Sequence, residues 1–67
     1  MISYAPFWKT IKDKGISTYA LITDHEINSA TIQRLRHNRG ISTETINALC
    51  NILNCKIDEI IEHIPDN

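Results

Sequence analysis

Residues 17–36 read STYALITDHEINSATIQRLR, and this stretch decides the fold. Apolar residues recur in it at helical spacing, and the pattern is interrupted between His25 and Ile27. We expect one helix near residues 17–24 and a second near residues 28–37. The stretch therefore predicts two short helices joined by a tight turn, which is a helix-turn-helix unit.

A repeated motif indicates where helices end and begin. GIST occurs at residues 15–18 and again at residues 40–43. Glycine commonly follows a helix, serine caps the next one, and an apolar residue before the cap packs on the fourth helical residue. The expected apolar pairs, including a third copy of the pattern at the turn, are Ile16 with Leu21, Ile41 with Ile46, and Ile27 with Ile32.

The same rules divide the chain into five predicted helices, preceded by a short extended arm at residues 1–5. They cover about residues 6–14, 17–24, 28–37, 43–53 and 58–64. Asp58 is the expected cap of the last helix, and Pro65 is its expected end. The predicted fold is all-α, a compact five-helix single domain over residues 1–67 with a core from residue 6 to 64. The apolar residues expected in the core are Trp8, Ile11, Leu21, Ile22, Ile27, Ile32, Leu35, Ile46, Leu49, Cys50, Leu53, Ile57, Ile60, Ile61 and Ile64.

The composition is that of one small globular domain. The chain has 67 residues, of which 42% are hydrophobic and 22% charged. No apolar run approaches the roughly 20 residues of a membrane span. Residues 1–6 lack the basic start and apolar core of a secretion signal. We therefore expect a cytoplasmic protein with no membrane partner.

Two cysteines and three histidines raise the question of a metal site. Cys50 and Cys55 are farther apart than the cysteine pairs that usually bind zinc. We expect both cysteines to stay reduced, and we expect no metal and no cofactor. A glycine-rich phosphate loop and a nucleophile motif are also absent from the sequence. An enzyme is therefore the weakest hypothesis, and we expect no catalytic residue and no small-molecule substrate.

Charge is divided unevenly along the chain, although the formal net charge is only -1. Residues 1–43 hold six Lys and Arg against three Asp and Glu, a net +3, and residues 44–67 hold one against five, a net -4. No acidic residue lies between Thr31 and Thr43. A chain polarised in this way can present a basic face to nucleic acid.

The second helix of the predicted pair carries side chains that suit base edges. If Ile32 and Leu35 face the core, the opposite side holds Ser29, Ala30, Gln33 and Arg34. Arg can bind guanine through two atoms, Gln can do so with adenine, Ser can donate or accept, and Ala can contact a thymine methyl. Residues 36–39 follow and suit phosphates. An ordinary solvated helix also has a polar outer face, and the spacing alone does not separate the two interpretations.

An ordered series of short motifs resembles a known family. The motifs are Trp8-Lys9-Thr10, Lys14-Gly15-Ile16-Ser17, the stretch from Leu21 to Leu35, Ile41-Ser42, Thr45 to Cys50, Leu53-Asn54-Cys55 and Asp58 to Glu62. From about residue 6 to 64 the chain resembles the lambda-repressor and Cro-like (XRE) helix-turn-helix family. It is most similar to the short single-domain members found in bacteria and their phages.

The resemblance implies a five-helix domain that binds duplex DNA, usually as a symmetric homodimer, and regulates transcription, here expected as a repressor. By position it assigns base reading to Ser29, Ala30, Gln33 and Arg34. The positions near the DNA backbone are Thr18, Asn28, Thr31, Asn38 and Arg39, and the basic run at residues 34–39 adds Arg36. Two residues depart from the family pattern, because Glu26 stands where glycine is usual and Ile22 where alanine is frequent. Both departures bear on how the two helices dock on DNA.

A second hypothesis keeps the fold and changes the partner. The domain would then be a helical protein–protein interaction module, such as an adaptor, an antitoxin-like protein or a phage inhibitory protein. The predicted fifth helix holds four isoleucines, more than one face needs, which suits a dimer seam or a partner site. Closure of the core is the favoured explanation for at least Ile60 and Ile64.

Overall fold

The computed structural model describes all 67 residues. Its helices are α1 (Ala5–Lys14), α2 (Thr18–Asp24), α3 (Ser29–Arg36) and α4 (Thr43–Leu53). A 3-10 turn (Ile57–Glu59) and two short strands, β1 (Ile2–Ser3) and β2 (Glu62–His63), complete the chain. The structure confirms four of the five predicted helices, each to within one residue at either end.

The helix starts follow the predicted caps. The hydroxyl oxygens of Ser17 and Ser42 each accept a hydrogen bond from the amide three residues later, at 3.0 and 3.1 Å. These bonds satisfy amides that have no partner within the helix. The two serines of the GIST repeat are therefore both N-caps.

The two glycines of the repeat differ. Gly15 has a left-handed backbone, with φ of 67°, and ends α1 as predicted. Gly40 does not adopt that conformation, and the residue that ends α3 in this way is Asn38, with φ of 54°. The amide of Arg39 then closes the turn on the carbonyl of Arg34 at 2.8 Å. The prediction that both glycines end helices is therefore wrong for Gly40, because an asparagine two residues earlier already makes the turn.

The predicted fifth helix is wrong. Only the 3-10 turn forms there, and its cap is Lys56 rather than Asp58. The carbonyl of Glu59 accepts a bond from the Thr10 hydroxyl at 2.8 Å, so α1 provides a partner that a longer helix would have supplied. The chain then extends, and β2 pairs antiparallel with β1, Ile2 opposite His63 and Ser3 opposite Glu62. The N-terminal arm thus supplies backbone partners that a sequence pattern does not reveal.

The core lies between the helices and is closed by the N-terminal arm and the residue after the 3-10 turn. Most predicted core residues are confirmed, but the prediction missed Tyr4 and Phe7, which are both buried. It was wrong for Ile57 and Ile64, which are 56% and 41% exposed because the fifth helix does not form. The ten buried apolar residues are Tyr4, Phe7, Ile11, Leu21, Ile27, Ile32, Leu35, Leu49, Leu53 and Ile60.

Several other residues pack on this core from its edge. Trp8, Ile22, Cys50 and Ile61 are half-buried against it rather than enclosed in it. None of the helices is long and apolar enough to cross a bilayer, and the longest has 11 residues.

Candidate DNA interface

Helix α3 divides cleanly into a core face and a solvent face. Ile32 and Leu35 are buried, as the periodicity predicted. The proposed base-reading side chains all lie on the exposed side of the helix. They are Ser29, Ala30, Gln33 and Arg34. Their exposure is confirmed, and their contact with bases stays a prediction.

The start of α3 is held by Asn28, as predicted. Its side-chain oxygen accepts a hydrogen bond from the amide of Ala30 at 2.7 Å. The oxygen is therefore occupied, and the amide nitrogen of the same side chain makes no hydrogen bond in the chain. Asn28 can keep its capping role and still donate to an acceptor outside the domain, such as a phosphate oxygen.

The turn between α2 and α3 keeps a left-handed residue although glycine is absent. Helix α2 ends at Asp24, and Glu26 has φ of 58°. The next residue, Ile27, is buried and donates its amide to the carbonyl of Leu21 at 3.0 Å. With Glu26 in place of the usual glycine, the turn therefore keeps its left-handed backbone. It carries roughly 1–2 kcal/mol of extra strain, because the residue has a side chain.

Arg34 leans toward the loop that follows α3. One of its guanidinium nitrogens lies 3.4 Å from the carbonyl oxygen of Gly40. This bond is long and exposed, so it holds the side chain weakly. The guanidinium has five donors, and the others remain available for a base edge.

Arg36 is held against α1. Its guanidinium carbon lies 5.0 Å from the centre of the Trp8 ring, in cation–π contact. The Trp8 ring in turn meets Phe7 edge to face, with ring centres 4.9 Å apart. The contact with the ring occupies none of the five N–H donors of the guanidinium in a hydrogen bond, so they remain available for the predicted phosphate role of Arg36. The sequence alone does not indicate this contact, because its partners lie 28 positions apart.

Tyr4 connects the N-terminal arm to the end of α3. Its amide donates to the side-chain oxygen of Asn38 at 3.1 Å, and its hydroxyl donates to the carbonyl of Arg39 at 2.7 Å. Both Asn38 and Arg39 belong to the predicted DNA-backbone set. Tyr4 was not among the predicted site residues, because it lies 34 residues or more from both partners and no local pattern marks the contact.

Two threonines complete the predicted backbone set. Thr18 is the first residue of α2, next to the cap Ser17, and Thr31 lies in the first turn of α3. Both side chains are half-buried, so each offers only part of its surface to a partner.

The arginines of this region carry no counterion within the chain. The ion pairs are Lys9 with Asp13, at 2.7 Å, and the N-terminal amine with Asp66, at 2.9 Å. The bond to Asp13 raises the pKa of Lys9. Arg34, Arg36 and Arg39 form no ion pair, and each is exposed. This end of the molecule therefore presents uncompensated positive charge.

The cysteines and histidines do not assemble into a metal site. No three His, Cys, Asp or Glu side chains come close enough together to bind one ion. Cys50 and Cys55 are both free and half-buried. Burial, and then the neighbouring Cys50, raises the pKa of the Cys55 thiol, which disfavours the thiolate form that binds metals.

Comparison with known proteins gives a consistent result. Residues 7–66 match the family described as the Cro/C1-type HTH DNA-binding domain. A crystal structure of the transcriptional regulator VanUg is similar, with a TM-score of 0.87 and 29% sequence identity over 97% of this chain and 87% of that one. No curated protein sequence matches the chain significantly. The family match spans nearly the whole domain. The XRE family, as it is also called, consists of DNA-binding proteins rather than enzymes. The chain therefore belongs to the Cro/C1-type helix-turn-helix DNA-binding family.

Proposed function

We propose that the chain is a transcriptional regulator, acting as a repressor, that recognises a specific sequence of duplex DNA. The observation that carries the proposal is the division of α3. Its inner face is buried in the core, and its outer face presents Ser29, Ala30, Gln33 and Arg34 to solvent. A helix supported in this way can enter the major groove as a rigid body.

Base recognition is assigned to the first two turns of α3. Gln33 and Arg34 are long enough to reach base edges, and both can form two hydrogen bonds to a single base, Gln to adenine and Arg to guanine. Ser29 and Ala30 lie at the tip of the helix, where a hydroxyl or a methyl group can contact a base closely. The loose contact of Arg34 with Gly40 is compatible with its release onto DNA.

Contacts to the DNA backbone are assigned to residues around both ends of α3 and the start of α2. The proposed set is Thr18, Asn28, Thr31, Arg36, Asn38 and Arg39. The unpaired charges of Arg36 and Arg39, and the free amide nitrogens of Asn28 and Asn38, support it. These contacts fix the register of the helix on DNA and add affinity that falls as salt rises.

We further propose that residues 1–67 form a single domain that acts in the cytoplasm as a homodimer. A symmetric dimer would bind a near-palindromic site with half-sites about 34 Å apart, one turn of DNA. Light scattering of the free protein and of the DNA complex tests the dimer separately from DNA recognition.

The proposed function is tested by selecting bound duplexes from a random DNA pool. The enriched site is then titrated by fluorescence anisotropy at two salt concentrations. We expect an enriched motif with two-fold symmetry, bound more weakly as salt rises. Absence of enrichment, with equally weak binding to every duplex, would contradict the proposal and favour the protein–protein interaction module.

A further inference from the structure

Tyr4 is fixed more firmly than a residue of an N-terminal arm usually is. It is only 3% exposed and lies between β1, which pairs with β2, and the first turn of α1. Its amide and its hydroxyl both bond to the segment that follows α3. One residue therefore connects the strand pair to the end of the proposed recognition helix.

The bond to Asn38 determines which way its amide group faces. The side-chain oxygen accepts the Tyr4 amide at 3.1 Å, so the nitrogen, with its two donors, faces the other way. Asn38 is exposed, and this nitrogen makes no hydrogen bond in the chain. The geometry presents a donor, and not an acceptor, to an approaching anion.

The backbone of Arg39 is held from both sides. Its amide donates to the carbonyl of Arg34 at 2.8 Å, and its carbonyl accepts from the Tyr4 hydroxyl at 2.7 Å. The guanidinium itself has no partner and is exposed. The root of the side chain is therefore fixed while its charge remains free.

We propose that Tyr4 is a positioning residue for DNA binding. Its backbone amide orients the amide nitrogen of Asn38, and its hydroxyl holds the root of the Arg39 side chain, toward the phosphate backbone before DNA arrives. Only the contact with Arg39 depends on the tyrosine side chain, and that contact is the one tested below. This inference rests on the proposed function. A preorganised donor pair loses less conformational freedom on binding than a flexible one, so it contributes more to affinity. Because both partners would contact phosphates, Tyr4 acts on affinity for every duplex and not on sequence preference.

The test compares Tyr4→Phe with Thr10→Val. Each substitution removes one buried hydroxyl that donates to a distant backbone carbonyl, that of Arg39 in the first case and that of Glu59 in the second. Thr10 is 8% exposed, and its hydroxyl bonds to the 3-10 turn and not to the segment after α3, so its variant controls for lost stability. Thermal unfolding is measured for both variants. Their binding to the selected duplex and to a random duplex is then measured at a temperature well below the unfolding midpoint.

We expect Tyr4→Phe to bind both duplexes about three- to tenfold more weakly, the effect of about one lost hydrogen bond. We also expect a shallower dependence of affinity on salt, because the Arg39 phosphate contact weakens. Thr10→Val should bind as the wild type does. In a background of Arg39→Ala, Tyr4→Phe should cause no further loss, because the two residues act through one contact.

Three results would overturn the inference. In the first, Tyr4→Phe binds DNA as tightly as Thr10→Val does when the two variants have lost equal stability. In the second, the loss of DNA affinity in Tyr4→Phe adds fully to the loss in Arg39→Ala. In both cases a wild type that still enriches its own motif would leave the proposed function standing. In the third, the wild-type chain binds no duplex, which would overturn the inference about Tyr4 and the proposed function together.

Discussion

The two ends of α3 are both polar in the sequence, and in the structure they differ in how far their side chains contact the rest of the chain. From Asn28 to Gln33 the polar side chains face solvent, except that Thr31 is half-buried, and only Asn28 makes a hydrogen bond, by capping its own helix. From Arg34 onward, residues of the basic run contact other parts of the chain, although the contact of Arg34 is weak. The contacts are Arg34 with the Gly40 carbonyl, Arg36 with the Trp8 ring, Asn38 with the Tyr4 amide, and the Arg39 carbonyl with the Tyr4 hydroxyl.

This difference suits two kinds of DNA contact. Base edges vary with sequence, so the side chains that read them need freedom to find a matching donor or acceptor. Phosphates recur at a fixed spacing, so a contact to them gains from being held in place beforehand. The start of α3 has the first property and its end has the second.

The largest expected effect is at Arg34, which lies at the boundary between the two ends. We expect Arg34→Ala to weaken binding to the selected site by about 1–3 kcal/mol and to relax one base position of the motif. Lys56→Ala is the matched control, because it removes one positive charge from an exposed residue near the 3-10 turn. An unchanged motif, measured by repeating the selection, would remove Arg34 from the base-reading set.

A smaller effect is expected at the anchored end, from Asn38→Asp. The aspartate keeps an acceptor for the Tyr4 amide but replaces the free donor with a negative charge. We expect binding to all duplexes to weaken by about 1–2 kcal/mol, with the motif preserved. Anisotropy on selected and random duplexes measures this.

Asn54→Asp provides the control for that change. Asn54 also has a left-handed backbone, with φ of 50°, at the end of α4, so the substitution carries the same conformational and charge effects. Equal loss of affinity in the two variants would mean that only net charge matters, and Asn38 would leave the proposed phosphate set.

The smallest effect concerns the turn that supports the start of α3. Glu26→Gly should raise the free energy of unfolding by about 0.5–1 kcal/mol, because glycine tolerates φ of 58° but costs more entropy on folding. Urea unfolding measures the change. Glu26→Gln removes the charge and keeps the strain, so we expect it to leave stability nearly unchanged. If Glu26→Gln gained as much stability as Glu26→Gly, the gain would come from removing the negative charge and not from relieving backbone strain.

The sequence predicted what local chemistry determines. Caps at Ser17, Asn28 and Ser42 depend on residues only two or three positions away, and all three were correct. The outward face of α3 followed from the period of Ile32 and Leu35.

One error was local, because Asn38 and not Gly40 makes the turn after α3. The other errors share a different cause, which is contact between distant parts of the chain. The prediction of a fifth helix was wrong because the arm at Ile2–Ser3 pairs with Glu62–His63, some 60 residues away. The buried positions of Tyr4 and Phe7, and the contact of Arg36 with Trp8, also depend on how α1 packs. No periodic pattern encodes such contacts, so the sequence indicated which residues are polar but not which of them are already engaged.

We expect DNA to bind along α3 and the segment just after it. The most direct measurement is NMR mapping of backbone amides in the labelled protein as the selected duplex is added. We predict the largest shifts at residues 28–34 and 38–39, with little change in the 3-10 turn or β2. Largest shifts at residues 57–64, with α3 unaffected, would contradict the claim and place the binding surface at the opposite end of the chain.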